Sequence, residues 1–421
     1  MCPGSSTHAQ HADTRETDGQ EAPEGTWQLL VDVHCHPTDD PSPWADMEAH
    51  AAKFAHVKLG EAVAMSTCAR DQALVADLVR RKGSKVRPAF GYHPWFVHTI
   101  SLEHPAPSAE QHYRSLFGGA SATEAQLADL EELLPHLPAP VSLQDTLATL
   151  RGNLEAHPSA LLGEVGIDRA FQLPVSPAGY TLDPAVRGPA LAKKQAEETH
   201  SLGRRSRALT LLKTPLEHQL SVLTAQVELA VKLRRSVSMH SVKAPGATLQ
   251  WLDEMKKRLP SATPSLAGMS KRKRRAVELA ARSREAAAGP AKADDKPSPP
   301  GFEDINLDLH SCSLSPLQLQ QVQEKHQNVY ASFSTTINLR QQAFHSQLSV
   351  ADPQRVLIES DWHSAAGLAA RTWAVCRLLV DAQGEELTGP LPKDTSEEGR
   401  YRLGAEALQR NWRRFVGETQ A

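Results

Sequence analysis

The sequence predicts an α/β fold, a (β/α)8 barrel of the TIM type with inserted segments and a disordered amino-terminal tail. Three observations predict it. Eight short apolar runs recur along the 421 residues, helical patterns separate them, and most of the runs end on or shortly before a histidine or a carboxylate. Polar side chains at the carboxyl ends of barrel strands are typical of an active site, because that end carries the βα loops.

The first apolar run, residues 29–36, ends in two histidines. Side chains of a strand alternate between its two faces. The predicted faces are Asp32, His34 and His36 on one side, and Val31, Val33 and Cys35 on the other. Paired imidazoles at a strand end most often hold a metal, although a single His-x-His also fits two polar residues in a loop mouth.

The remaining runs continue the alternation of strand and helix. The other predicted strands are 62–67, 86–91, 160–168, 236–240, 305–309, 329–333 and 355–359. Helical periodicity is found within 47–56, 74–79, 220–233, 366–380 and 403–415. No internal repeat is visible, which argues against a solenoid or a propeller.

The length and composition allow one large barrel or two ordinary domains, and the eight predicted strands favour one barrel domain, residues 27–421. The polar residues 1–26 are expected to form a disordered tail before it. Insertions are expected near 101–158, 169–215 and 256–302, where the sequence is longer or more polar than an ordinary βα connection. The last insertion contains the basic run Lys271 to Arg275. Such a run fits a nuclear localisation signal or a nucleic-acid tether, and it equally fits a solvated loop.

Charge and cysteine content limit the class of protein. The net charge of −3 argues neither for nor against a nucleic-acid partner. Five scattered cysteines without a C-x-x-C pair fit a reducing compartment and no structural zinc. No signal peptide and no run of about 20 apolar residues is visible. We therefore expect an intracellular protein, cytoplasmic or nuclear or both, with no membrane partner.

The polar residues at the strand ends predict a metal site. In chain order they are His34, His36, His93, Glu164, His240, His310 and Asp361. A histidine in an apolar strand is costly unless it is hydrogen-bonded or bound to metal. All of these residues except His93 are candidate ligands. The nitrogen and oxygen donors suit Mg, Mn or Zn, and two divalent ions fit better than one because Glu164 has two oxygens with which to bridge them.

Five sequence blocks resemble a known family. They are Asp32-Val33-His34-Cys35-His36, Gly91-Tyr92-His93-Pro94, Gly163-Glu164-Val165-Gly166-Ile167-Asp168, His240-Ser241 and Glu359-Ser360-Asp361. In these blocks the chain resembles the TatD-related metal-dependent deoxyribonucleases, a branch of the amidohydrolase-like barrels. The resemblance implies phosphodiester hydrolysis, with DNA as the expected substrate. It also implies one ion at His34, His36, Glu164 and Asp361, a second at Glu164, His240 and His310, and a substrate phosphate facing His93.

The expected catalytic residues are Glu164 and Asp361, and the expected substrate-binding residues are His93 and Lys243. Asp361 follows the eighth strand, so it can both hold an ion and accept a proton from a metal-activated water. Lys243 stands near the position where the resembled family usually has an arginine. Trp362 also departs from the family pattern, so the residues around the substrate differ more than those around the metal.

Two alternatives remain open at this point. The first is an amidohydrolase-type hydrolase of another small substrate, because barrels with this ligand layout support many reactions. Glu164 stands where many amidohydrolases place a bridging lysine, which favours the phosphodiesterase. The second alternative is a metal-binding interaction protein with weak or no nuclease activity, which would bind a protein partner through its insertions.

Overall fold

Eight parallel strands form one continuous sheet in the computed structural model, which describes residues 21–39, 46–175, 209–261, 275 and 299–418. In the order in which they pair, these strands are β1 Val31–Cys35, β2 Glu61–Met65, β3 Val86–Phe90, β6 Leu161–Asp168, β7 Val237–Val242, β8 Leu307–Leu309, β9 Val329–Phe333 and β10 Val356–Ile358. Two further short strands, β4 Ile100–Ser101 and β5 Val141–Ser142, pair with each other outside this sheet.

Hydrogen bonds beyond β10 bring the two edges of the sheet together. The N–H of Asp361 donates to the carbonyl of His34 at 3.0 Å, and the N–H of His36 donates to the carbonyl of Trp362 at 2.9 Å. The sheet is therefore a nearly closed barrel. The bounds of its eight strands all lie within two residues of the predicted bounds. The predicted TIM-type fold class is confirmed.

Helices separate the strands and pack around them. Those among the described residues are α1 Met47–Ala55, α2 Ala69–Lys82, α3 Ala109–Phe117, α4 Glu124–Leu133, α5 Leu143–Ala156, α6 Leu216–Leu233, α7 Pro245–Arg258, α8 Pro316–Lys325, α9 Phe344–Val350, α10 Leu368–Gln383, α11 Glu385–Thr388 and α12 Glu397–Phe415. None of the described helices is both long and apolar enough to cross a lipid bilayer.

Polar side chains fix where many of these helices begin. Each capping side chain accepts a hydrogen bond from the N–H three residues further on, which satisfies a backbone donor that has no partner within the helix. The caps of this kind are Asp46, Ser108, Thr123, Ser142, Ser315 and Ser396. Helices that begin at defined residues hold the strand-to-helix loops, and hence the barrel mouth, in a defined place.

The carboxyl-terminal helix α12 closes the amino-terminal end of the barrel. Trp412 and Phe415 pack with inward-facing strand residues in one buried cluster, here called the floor cluster. Its other buried members are Val31, Val33, Val63, Met65, Ala89, Leu161, Tyr330 and Leu357. The indole of Trp412 also donates to Glu61 at the start of β2, at 2.7 Å. One end of the barrel is thereby filled, and the open end is the carboxyl end.

Strand β1 contains an irregularity that alternation did not predict. Its pairing with β2 runs from Asp32 opposite Ala62 to Cys35 opposite Ala64, so three steps on β1 oppose two steps on β2. Val33 packs in the floor cluster, whereas Cys35 packs in the main core between sheet and helices. The prediction that these two side chains share a face is therefore wrong, because a bulge changes which face the following residues occupy.

The expected tail and insertions are described only in part. Residues 101–158 hold the strand β5, the helices α3 to α5 and part of a third buried cluster built around Tyr113. The other two expected insertions are described at 169–175, 209–215, 256–261, 275 and 299–302, so the basic run before Arg275 lies outside the described residues, as do residues 1–20. Within 21–26, Ala22 and Thr26 are buried against the barrel.

Candidate metal centre

Polar side chains from six strands or their immediate ends meet at the open end of the barrel. They are His34 and His36 of β1, His93 after β3, Glu164 of β6, His240 of β7, His310 after β8 and Asp361 after β10. Every residue that the strand ends predicted is in this cluster, whereas Lys243, the other expected substrate-binding residue, is not. All of them are buried or nearly so. Their grouping follows from the barrel, since the carboxyl ends of its parallel strands lie at one end.

Glu164 lies between two pairs of histidines and presents a different oxygen to each. Its Oε1 is 2.6 Å from His240 Nδ1 and 2.6 Å from His310 Nε2. Its Oε2 is 3.4 Å from His36 Nε2 and 3.6 Å from His34 Nε2. A carboxylate in this position can interact with two separate centres at once.

Asp361 completes the group around the first pair. Its Oδ1 is 3.4 Å from His36 Nε2, and the donor atoms of Asp361, His34 and His36 all lie within 4.8 Å of one another. Asp361 has a positive φ of 48°, in the left-handed region that non-glycine residues seldom adopt. Such backbone geometry is found where the surrounding structure holds a side chain at a functional site.

Opposite charges at close range shift the pKa values in this cluster. Burial raises the pKa of Glu164, but the surrounding histidines, led by His93, hold it well below its usual range. Burial lowers the pKa of His36, but the hydrogen bond with Asp361 and the nearby carboxylates raise it to about 10. The pKa of Asp361 is raised by burial and lowered more strongly by His36. The carboxylates are therefore ionised.

The donor arrangement fits divalent cations. His34 Nε2 and His36 Nε2 are 3.1 Å apart, and His240 Nδ1 and His310 Nε2 are 3.0 Å apart. The two nitrogens of each pair therefore face one another and an oxygen of Glu164 at close range. A buried set of imidazole nitrogens and carboxylate oxygens that converge in this way is the kind of donor set with which proteins hold a divalent cation. Nitrogen and carboxylate donors without thiolate suit Zn, Mn or Mg.

His93 differs from the other histidines in its hydrogen bonding. Its Nδ1 accepts the backbone N–H of Trp95 at 3.2 Å, and burial lowers its pKa to about 4. The neutral ring therefore carries its hydrogen on Nε2, which lies 3.3 Å from Glu164 Oε1. Although His93 also falls in a possible ligand group with Glu164 and His240, an N–H at this position is a hydrogen-bond donor and not a metal ligand.

A buried polar layer lies beneath the cluster. Glu359 accepts hydrogen bonds from the N–H of Ser311 at 2.8 Å and from the hydroxyl of Ser332 at 2.6 Å. Its donor atoms also lie within 4.8 Å of those of His34 and His310. Glu359 thus supports the layer above it.

The sequence did not predict two residues that orient the cluster. The hydroxyl of Ser238 is 2.9 Å from His34 Nδ1, and Asp168 Oδ2 is 3.5 Å from His240 Nε2. Such contacts set the orientation of an imidazole. Asp168 could have been predicted from the sequence, because it is the last residue of the Gly-Glu-Val-Gly-Ile-Asp block. Nothing in the local sequence indicates a role for Ser238.

Lys243 lies at the rim of the barrel mouth. It follows β7 directly, is exposed, and has a positive φ of 50°. The neighbouring Val242 accepts the backbone N–H of Arg169 at 3.1 Å, so the ends of β6 and β7 carry two exposed basic residues side by side. The structure does not bring Lys243 into the buried cluster, and its expected role is at the surface.

A TIM-type barrel with this cluster at its open end defines a metal-dependent hydrolase. The profile of the TatD-related DNase family matches residues 31–375. The chain therefore belongs to the TatD-related DNase family, as the five sequence blocks indicated.

The chain is also similar to individual proteins of known sequence or structure. The Cut9-interacting protein scn1 of Schizosaccharomyces pombe is 30% identical over 351 residues, which are 80% of this chain and 88% of that protein. The uncharacterized deoxyribonuclease YMR262W of Saccharomyces cerevisiae is 25% identical over 219 residues, 52% of this chain and 58% of its own. The crystal structure of the TatD homologue YjjV of Escherichia coli K12 aligns with a TM-score of 0.48 and 16% identity, covering 92% of this chain and 97% of that one.

Proposed function

We propose that this protein is a divalent-metal-dependent phosphodiesterase that cleaves DNA. The observation that supports this most directly is the position of Glu164, whose two oxygens face two different pairs of histidines. Paired ions bridged by one carboxylate suit the in-line displacement at a phosphate ester. The ligand sets in the proposal are His34, His36, Glu164 and Asp361 for one ion, and Glu164, His240 and His310 for the other.

The protein's own residues have distinct roles in this proposal. Bound divalent cations supply a Lewis acid for phosphoryl oxygens and make a water molecule more acidic. Hydrolysis joins the water oxygen to phosphorus and breaks the P–O bond to one sugar. Asp361, which is ionised, accepts the proton of the attacking water. His93 donates its Nε2–H to a phosphate oxygen, and the leaving sugar oxygen takes a proton from solvent.

Metal removal and a substrate screen test this function together. The purified chain is stripped with a chelator, its metal content is measured, and Mg, Mn or Zn is added back. We expect hydrolysis of single-stranded or duplex DNA to disappear and return, with weaker hydrolysis of generic phosphodiesters and none of small amides or lactones. Full activity after verified metal removal, or activity on the amides or lactones alone, would overturn the proposal.

A protein partner is a second proposal, supported by a different observation. The relative from S. pombe is named for an interaction with Cut9. In this chain, Val141 of β5 is 51% exposed, and Leu102, directly after β4, is 50% exposed, on the small sheet outside the barrel. We propose that this part of the chain, in the expected insertion 101–158, contacts a protein. Loss of a captured partner on Leu102→Asp, with hydrolysis retained, would support it.

The intracellular location stays a prediction from composition.

A further inference from the structure

A large aromatic side chain lies exposed at the edge of the candidate metal centre. Trp95 follows His93 by two residues and is 42% exposed, and its ring meets that of His93 edge-on at 4.8 Å. Tryptophan seldom leaves this much of its surface in water. The proposed mechanism does not use the indole ring.

The ring of Trp95 is held rigidly. Its indole N–H donates to Asp168 Oδ2 at 2.7 Å, and one side of the ring stacks on Phe171 with centroids 5.2 Å apart and an interplanar angle of 15°. The other oxygen of Asp168 accepts the backbone N–H groups of Ala170 and Phe171, at 2.6 and 3.0 Å. One buried carboxylate therefore fixes both the indole and the loop that carries its stacking partner.

Three basic residues lie close to this aromatic pair in the fold. Arg169 lies between Asp168 and the loop of Phe171, and its carbonyl oxygen accepts the ammonium of Lys213 at 3.1 Å. Its backbone N–H bonds to Val242, next to Lys243. The three basic residues are exposed, so positive charge borders the Trp95 side of the mouth. Rigid aromatic rings beside exposed cations are the features with which proteins bind single-stranded nucleic acid.

We propose that Trp95, backed by Phe171, is a stacking platform for a nucleobase next to the phosphate in the metal centre, and that Arg169, Lys213 and Lys243 hold the adjoining phosphates. This inference rests on the proposed function and makes it more specific. It assigns single-stranded nucleic acid, or a frayed end, as the form of substrate that reaches the site. Stacking on a side chain needs an unpaired base, because the bases of a duplex are stacked on one another.

Binding to strands with and without bases tests the platform independently of cleavage. Fluorescence anisotropy compares a ten-nucleotide oligothymidylate with a strand whose terminal nucleotides are abasic, in chelator so that nothing is cut. Stacking of one base changes affinity by about 5- to 150-fold, so we expect roughly tenfold preference for the base-containing strand. Trp95→Ala should abolish this preference, and Phe171→Ala should reduce it.

Two further variants separate the ring from its hydrogen bond and from general surface effects. Trp95→Phe keeps an aromatic face but loses the bond to Asp168, and it should retain most of the preference. Leu317→Ala removes a side chain that is 64% exposed on α8, and the preference should remain that of the wild type. If Trp95→Ala does not fold, as judged by circular dichroism, the other two variants test the platform. A preference that is reduced in Phe171→Ala and retained in Trp95→Phe would support it, and an unchanged preference in Phe171→Ala would overturn it.

The outcomes distinguish this inference from the function on which it rests. Equal binding of both strands by the wild-type chain, or an unchanged preference in Trp95→Ala, overturns the platform. If the metal-loaded wild-type chain still cleaves DNA in that case, the proposed function stands. If the metal-loaded chain cleaves neither strand, the proposed function fails, whereas a preference that depends on Trp95 in chelator would still support base stacking.

Discussion

The backbone N–H of Asp361 donates a 3.0 Å hydrogen bond to the carbonyl oxygen of His34. One residue lies on the first strand of the barrel and the other follows the last strand, and both belong to the candidate metal centre. Their separation is therefore set by the closing of the barrel and not by a bound ion. This hydrogen bond joins backbone atoms only, so either side chain can be substituted without breaking it.

Asp361→Asn should leave the fold intact and strongly reduce hydrolysis. The substitution keeps the backbone bond to His34 and the size of the side chain, but removes the charge that accepts a proton. A positioned general base contributes about 10²–10⁴-fold to a rate, and kcat should fall by that factor at saturating metal. The measurement is kcat on single-stranded DNA, with thermal unfolding as the check on the fold.

Glu359→Gln is the matched control for Asp361→Asn, since both remove one carboxylate charge near β10. Glu359 accepts hydrogen bonds from Ser311 and Ser332. Glutamine has an NH2 group where glutamate has its second oxygen, so one of these two donors loses its acceptor. The free energy of unfolding should therefore fall by about 1–3 kcal/mol. Near wild-type turnover in Asp361→Asn together with complete inactivity in a folded Glu359→Gln would contradict the roles proposed for β10.

Glu164→Gln should lower the amount of bound metal more than any other single substitution in the cluster. Its two oxygens face both pairs of histidines, so the change weakens both proposed ion positions. Metal content after dialysis, measured by atomic emission, should drop well below that of the wild type. Glu61→Gln is the control, because Glu61 lies at the opposite end of the barrel and bonds to Trp412. Equal metal content in wild type and Glu164→Gln would exclude Glu164 as a shared ligand.

Gly166→Ala should destabilise the barrel at the point where β6 meets β7. A Cβ at Gly166 would lie 1.9 Å from the carbonyl oxygen of His240, which is backbone and cannot turn aside. Overpacking costs about 1–3 kcal/mol, and a backbone clash belongs at the upper end of that range. The expected result is a lower urea midpoint together with weaker metal binding, because the carbonyl belongs to a candidate ligand.

The same substitution elsewhere in the chain provides the control. Gly152 lies inside α5, and a Cβ there meets nothing within 4 Å. Gly152→Ala should raise the free energy of unfolding by about 0.5–1 kcal/mol, since alanine favours a helix over glycine by that amount. A stable Gly166→Ala protein with wild-type metal affinity would show that the strands separate more easily than this packing implies.

Basic residues at the rim should account for part of the salt dependence of DNA binding. Each phosphate contact to a single strand contributes about 0.7 to the slope of log K against log salt concentration. Arg169→Ala and Lys243→Ala should each reduce that slope by roughly this amount. Lys232→Ala is the control, because Lys232 lies in the last turn of α6, away from the barrel mouth. Identical slopes in the wild type and all three variants would show that these rim residues do not contact the phosphates of DNA.

The sequence predicted the barrel and the cluster because both follow from local pattern. Apolar runs with His34, Glu164 or Asp361 at or near their carboxyl ends reveal strands, and parallel strands bring those ends together whatever lies between them. The bulge in β1 was missed because alternation assumes one residue on one strand for each residue on the next. The Trp95–Asp168 bond was also missed, since 73 positions separate these residues and no local pattern pairs them.

His218→Gln should make the protein less sensitive to mild acid. His218 on α6 is buried, and its Nε2–H donates to the carbonyl of Val97 at 2.9 Å. Burial lowers its pKa in the folded chain, and the ring of His112, centred 6.4 Å away, adds to this effect. As the pH falls through the unfolded value of about 6.5, the unfolded chain takes up a proton that the folded chain resists, so the folded state loses stability.

The size of the effect follows from one proton. A single such group contributes at most about 1.4 kcal/mol per pH unit to the slope of the unfolding free energy, with stability rising as pH rises. Urea unfolding at pH 7.5 and 5.5 measures it in the wild type, in His218→Gln and in His56→Gln. Glutamine can still donate to Val97, so the variant should lose the part of the slope that His218 contributes and keep its stability at the higher pH. His56 is exposed beyond α1, and its variant should behave as the wild type does. An unchanged slope in His218→Gln would show that the acid sensitivity comes from other buried groups.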